Sequence, residues 1–188
     1  LYYAGELTYD NKMYKEALVY FSTLEKVGIT DEDLSFARKG QMYCFNFLEN
    51  NQSTIDYALK VLLANDVKPK IKEDAYLFLG NSYKSMNLLD EAVSSYNELL
   101  KITNNIKAAE AKYGICEILF NQNKNVECEQ HIMEMVQQKP SYDYWLAKAI
   151  ILLGDNFVAA KDYFNAKHSL QSIIDNYSGP EKENIISK

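Results

Sequence analysis

Tyr76-Leu77-Phe78-Leu79-Gly80-Asn81-Ser82-Tyr83 is followed, across a break at Asn87, by Ala92-Val93-Ser94-Ser95-Tyr96. Tyr76, Leu79 and Tyr83 recur at intervals of three and four, which is the period of one face of an α-helix. Ala92 and Tyr96 repeat the interval of four in a second segment. Gly80 and Ala92 stand twelve residues apart, and so do Gly154 and Ala166, Gly5 and Ala17, and Cys116 and Cys128. A spacing that recurs with the same residue sizes marks a structural repeat. Its expected cause is a pair of helices whose axes approach to about 8–10 Å, so that one small residue from each meets at the crossing. Larger apolar residues at i+3, i+4 and i+7 then fill the space to either side.

The same register orders the rest of the chain. Ile150-x2-Leu153-Gly154-x2-Phe157 leads to Ala166-x3-Leu170; Ala17 is followed by Phe21 and Leu24, and Cys128 by Ile132, Met135 and Pro140. The segment between Gly28 and Pro69 is less regular, with Leu34, Ala37, Cys44 and Phe47 on one expected helix and Ile55, Leu59, Leu62 and Leu63 on the next. Cys44 is assigned there to the small-residue site, and Ser53 with Asp56 to a helix N-cap. The expected helix pairs are 1–10 with 14–26, 31–49 with 52–65, 71–85 with 89–102, 106–122 with 125–138, and 142–160 with 163–177. No strand is expected. Asn65–Lys72, containing Pro69, is the longest expected connection.

Composition limits the partners. The chain has 188 residues, 47% of them hydrophobic, with only 7 Gly and 3 Pro, so nothing reads as a flexible linker. The net charge of -6, with Lys and Arg scattered, argues against nucleic acid, whose binders carry a basic stripe. The longest apolar run, Ala149 to Gly154, is far short of the roughly 20 residues that span a bilayer, so no membrane insertion is expected. The chain opens on Leu1-Tyr2-Tyr3 without an initiator Met, and Tyr2, Tyr3 and Tyr9 make a poor polar cap for a repeat array, so preceding repeats are expected. Gly179-Pro180-Glu181 reads as a helix stop followed by a new helix start.

The aromatic, Leu-Gly and Ala-x3-aromatic positions resemble the tetratricopeptide (TPR) pattern W-x2-L-G-x2-Y, A-x3-F over the whole chain, most closely in the third and fifth units. Ala109-Glu110-Ala111-Lys112-Tyr113, Tyr144-Trp145-Leu146-Ala147-Lys148 and Ala166-Lys167 through Asn176-Tyr177 resemble the C-terminal repeats of large multi-TPR proteins of Bacteroidetes-type bacteria. The resemblance implies an all-α, right-handed superhelical solenoid of about five antiparallel helix pairs, one domain over 1–188, with repeats at about 1–28, 29–68, 69–104, 105–140 and 141–178. It implies a concave surface, lined by the first helix of each repeat, that receives a peptide or partner protein. Carried over by position, Glu6, Tyr9, Asp10, Leu77, Asn81, Lys84, Tyr113, Glu117, Phe120, Ile151, Asp155 and Val158 line it, with packing or solvated surface as the alternative role for about half of them. Glu6, Asp10, Glu117 and Asp155 outweigh Lys84 and Lys148, which disfavours a grip on a C-terminal carboxylate and favours a basic or aromatic ligand. Location in a periplasm or cell envelope is implied by the resemblance alone.

No catalytic reading emerges. The chain lacks a nucleophile elbow, a P-loop, a dinucleotide fingerprint and H-E-x-x-H, and no cofactor or metal is expected. Cys128-x2-His131 has two potential ligands at helical spacing but no further two nearby. Cys116 and Cys128 are either a disulfide, which needs Cα atoms within roughly 4.4–6.8 Å, or reduced thiols filling small core sites. The expected function is a non-catalytic interaction scaffold; the alternatives are the interaction module of an enzyme or sensor whose active domain lies elsewhere, and a spacer.

Overall fold

The computed structural model describes residues 1–179 and 183. Among them the chain is all-helical, with no strand. The helices are α1 (Tyr2–Asp10), α2 (Tyr14–Val27), α3 (Asp31–Phe47), α4 (Asn51–Leu62), α5 (Pro69–Ser85), α6 (Leu89–Ile102), α7 (Ile106–Asn121), α8 (Asn125–Gln137), α9 (Asp143–Ala159) and α10 (Tyr163–Asn176). Every expected helix is present, and its ends fall within three residues of the expected ones. The new helix expected at Pro180 lies outside the described residues. The helices gather into two compact units, Leu1–Ile102 and the residues from Thr103 onward.

One turn is used five times. Lys12, Glu49, Asn87, Asn123 and Lys161 have φ of 61, 56, 60, 58 and 62°, each two residues beyond the end of an odd-numbered helix. The residue after each donates its backbone N–H to the carbonyl five positions back: Met13 to Thr8, Asn50 to Phe45, Leu88 to Tyr83, Lys124 to Leu119 and Asp162 to Phe157, at 2.8–3.0 Å. This is the Schellman arrangement, which satisfies carbonyls that the end of a helix leaves without partners. A left-handed backbone favours glycine there, yet all five positions carry a side chain.

Capping begins the helices that follow. Thr30 and Asp33 form a reciprocal capping box at α3, and Asp162 accepts from the Asn165 N–H at α10. At α4 the cap is Asn50, which accepts from the Ser53 N–H, in place of the expected Ser53 with Asp56. The helix starts before Ser53, so Ser53 supplies a donor rather than an acceptor. Pro69 is the first residue of α5, where its missing N–H costs nothing, and the longest connection is 63–68.

The twelve-residue spacing acquires a more specific cause than two small residues in contact. A Cβ on Gly5 would lie 2.6 Å from Phe21, one on Gly80 2.3 Å from Tyr96, and one on Gly154 2.9 Å from Leu170. The glycine of the first helix therefore makes room for the residue four beyond the Ala of the second. The register of the turns places Met42, not Cys44, at the corresponding site of α3, seven residues before Glu49, with Thr54 twelve residues on. Met42 is fully buried in one cluster with Ala58, so here the first helix carries the large side chain and the second the small one. Cys44 lies instead in the cluster of Ala17 and Phe21, facing the preceding helix pair.

In the first unit α1 packs on α3 and α3 on α5, as well as each on its sequence neighbours; in the second, α7 packs on α9. The odd-numbered helices of each unit therefore share a face. Clusters around Met42, Ile55, Val61 and Leu79, and around Cys116, Ile132, Met135, Leu152 and Leu153, form the cores beneath these faces. Each large aliphatic side chain buried this way contributes about 1.5–3 kcal/mol before the entropy of ordering is subtracted.

Candidate functional site

In the first unit, Glu6 and Asp10 are exposed, while Tyr9, Asn81 and Lys84 are half-buried. Tyr9 packs among Tyr14, Tyr43 and Phe47 in tilted and edge-on contacts, with ring centroids 5.5, 6.1 and 5.9 Å away. Burial above all, then neighbouring groups beginning with Tyr14, push its phenol up to about 12. Asn81 accepts the Tyr96 hydroxyl at 2.6 Å, so part of its hydrogen-bonding capacity holds α5 to α6. Leu77 is buried. In the second unit Asp155 and Val158 are exposed, Glu117, Phe120 and Ile151 are half-buried, and Tyr113 is 9% exposed within the core. The acidic positions Glu6, Asp10 and Asp155 are thus open to solvent and Glu117 partly so, while Leu77 is a packing residue and Tyr113 is largely covered.

Three constellations escaped the reading of the sequence, the first two of them polar. Glu25 on α2 accepts from Arg38 at 3.1 Å, Gln41 at 2.8 Å and Tyr57 at 3.0 Å, and lies 3.7 Å from the Lys60 ammonium. Burial alone would raise its carboxyl; the hydrogen bonds from Gln41, Arg38 and Tyr57 and the charge of Lys60 outweigh that and hold it below its ordinary value. Tyr43 on α3 donates to the Asp74 carboxylate on α5 at 2.5 Å. Burial first, then that bond and charge, raise the phenol strongly. Both constellations join residues 13 to 35 positions apart, which no local motif displays.

The third constellation is aromatic. Tyr113 on α7 and Trp145 on α9 have ring centroids 5.6 Å apart, and Tyr144 meets Trp145 edge-on at 5.0 Å. The Lys148 ammonium lies 4.5 Å from the Tyr113 centroid, 5.0 Å from Trp145 and 5.8 Å from Tyr144. All three distances are within the range of cation–π attraction. The Tyr113 phenol is raised by burial and by the charge of, and its hydrogen bond to, Glu117. The signal in the sequence was Tyr144 and Trp145 four and three residues before Lys148, the spacing that puts them on one helical face.

Cys44, Cys116 and Cys128 are free and fully buried. The Cys128 thiol points to the Cys116 carbonyl oxygen at 3.5 Å, and the Cys116 sulfur lies 4.0 Å from the Met135 sulfur. Burial pushes the Cys44 and Cys116 thiols up to about 12 and Cys128 up to about 11. The His131 ring lies 3.8 Å from Glu134 on its own helix. No cluster of three potential metal ligands occurs among the described residues, and no helix among them is long and apolar enough to cross a membrane. No family model matches the chain, and no curated protein matches it.

Proposed function

We propose that the chain is a TPR-type interaction scaffold that binds basic peptide or protein segments on the odd-numbered helices of its units. The supporting observation is that Glu6 and Asp10 in one unit and Asp155 in the other are exposed, and that Glu117 and Phe120 are half-buried. Exposed carboxylates and partly covered rings suit cationic, aromatic-contacting segments, and such complementarity guides encounter and register. The role is recognition rather than turnover, and the resemblance to large multi-TPR proteins extends it to an exported or envelope complex. As the interaction module of a longer enzyme or sensor, the chain would use the same face.

The test is selection from a random displayed peptide library on the intact chain. Enriched sequences should be rich in Lys and Arg, and should lose about tenfold in affinity when Glu6 and Asp10, or Asp155, are changed to Lys. Peptides without a basic bias, or binding indifferent to these changes, would remove the proposal in favour of a spacer.

A further inference from the structure

The geometry points to the Tyr113, Tyr144 and Trp145 cluster as a recognition site for an ammonium group of a partner segment, held by Lys148 as an internal placeholder until the partner's cation displaces it. It rests on the reading of this face as a binding surface and specifies the chemistry of one subsite.

Three features carry it. The faces of aromatic rings bear negative potential, and several rings converging on one point attract a cation more than any single ring does. Here three ring centroids lie within 4.5–5.8 Å of one ammonium nitrogen. Glu117, on the helix that carries Tyr113 and hydrogen-bonded to its hydroxyl, adds a full negative charge beside the rings. The site also demonstrates its own preference, because it already holds a cation. Trp145, Tyr144, Glu117 and Lys148 are half-buried rather than enclosed, so solvent reaches their side of the cluster, while Tyr113, 9% exposed, forms its buried floor. The lysine stem is flexible and can leave the rings without disturbing the helix that carries it. An incoming ammonium must compete with a tethered one, so binding to the unaltered chain is weaker than the rings alone would give.

Trp145 is the chain's single tryptophan, so its fluorescence reports on this site alone. The experiment titrates the full chain with tetramethylammonium chloride, using sodium chloride at matched ionic strength as the reference. The unaltered chain is compared with Lys148→Ala and Lys148→Gln. Both variants should bind the probe about tenfold more tightly than the unaltered chain, and adding Glu117→Gln should weaken that binding. Should the alanine variant fail to fold, the glutamine variant, which keeps most of the stem, carries the comparison. A response equal to that of sodium chloride in every protein overturns the site. Equal affinity with and without Lys148 overturns its role as placeholder, and with it the inference. Peptide selection that still depends on Glu6, Asp10 and Asp155 while the probe fails would leave the wider binding surface standing and remove only this subsite.

Discussion

The helix pairs α3/α4 and α5/α6 solve one packing problem in opposite ways. In α5/α6 the first helix supplies Gly80 and the second supplies Tyr96, whose ring sits where a glycine Cβ would be. In α3/α4 the first helix supplies Met42 and the second Ala58, both fully buried. The turns that join the two pairs are the same, at Glu49 and Asn87. What the repeat conserves is therefore the summed volume at the contact and the geometry of the turn, not a residue type at either position, as close packing of interiors requires. The polar supports differ in step. Tyr96 donates a neutral bond to Asn81, whereas α3 and α4 are tied to α2 through the charged network around Glu25.

The largest expected effect comes from forcing one solution onto the other. Gly80→Met alone should cost about 3 kcal/mol, because its Cβ would collide with the Tyr96 ring. Tyr96→Ala alone should cost about 4 kcal/mol through the cavity and the lost partner of Asn81. The double variant reproduces the arrangement of Met42 with Ala58, and should fall short of the sum of the single costs by about 2 kcal/mol. Urea denaturation of the four proteins measures this coupling. Strict additivity would mean that the two helix pairs are not interchangeable solutions.

This contrast also explains what the sequence could and could not display. The helix spans were legible because the apolar period and the small residues recur within single segments, where nearest neighbours decide conformation. Met42 was not, because its large side chain hides a site elsewhere occupied by Gly or Cys, and only the turn at Glu49 places it. The breaks between paired helices, the one at Asn87 included, were legible, but their left-handed geometry was not: Lys12, Glu49, Asn87, Asn123 and Lys161 carry side chains where a search for helix ends looks for Gly. The expected groove positions were assigned from register alone. Burial of Tyr113 and the engagement of Asn81 depend on Trp145 and Tyr96, each from another helix. The Glu25, Tyr43–Asp74 and Lys148 constellations depend on such pairings entirely.

The charged network predicts a second, smaller difference. Glu25 is held below its ordinary value of 4.5, so it is ionised more readily in the folded chain than in the unfolded one. Its contribution is complete above that value and is lost as the pH falls through the lower, folded one. Glu25→Gln should cost about 1–2 kcal/mol near neutrality, since it removes the charge that Arg38 and Lys60 face. It should also shrink the loss of stability of the parent chain on acidification below about pH 4.5. Amide exchange resolved along the chain should locate the neutral-pH loss in α2–α4 more than in α5 and α6. An acid profile unchanged by the substitution would take away the electrostatic half of the contrast.

The smallest effect is expected at the helix pair α7/α8, which stands between the two extremes with Cys116 on one helix, and Cys128 and Ile132 on the other. Cys128 occupies the place of Ala17, Ala92 and Ala166, and its sulfur is the only addition. Cys128→Ala should therefore change stability by about 1 kcal/mol or less, the transfer cost of a small group with little cavity left behind. The thiols should also be unreactive in the folded chain. With a thiol raised to about 12, only about one Cys116 in ten thousand is a thiolate at about pH 8, and the group is fully buried as well. Iodoacetamide should leave all three cysteines unmodified under native conditions and alkylate all three after denaturation without reductant. Recovery of a single reactive thiol in the denatured, unreduced chain would show a Cys116–Cys128 bridge, and would replace the packing role of this pair by a covalent one.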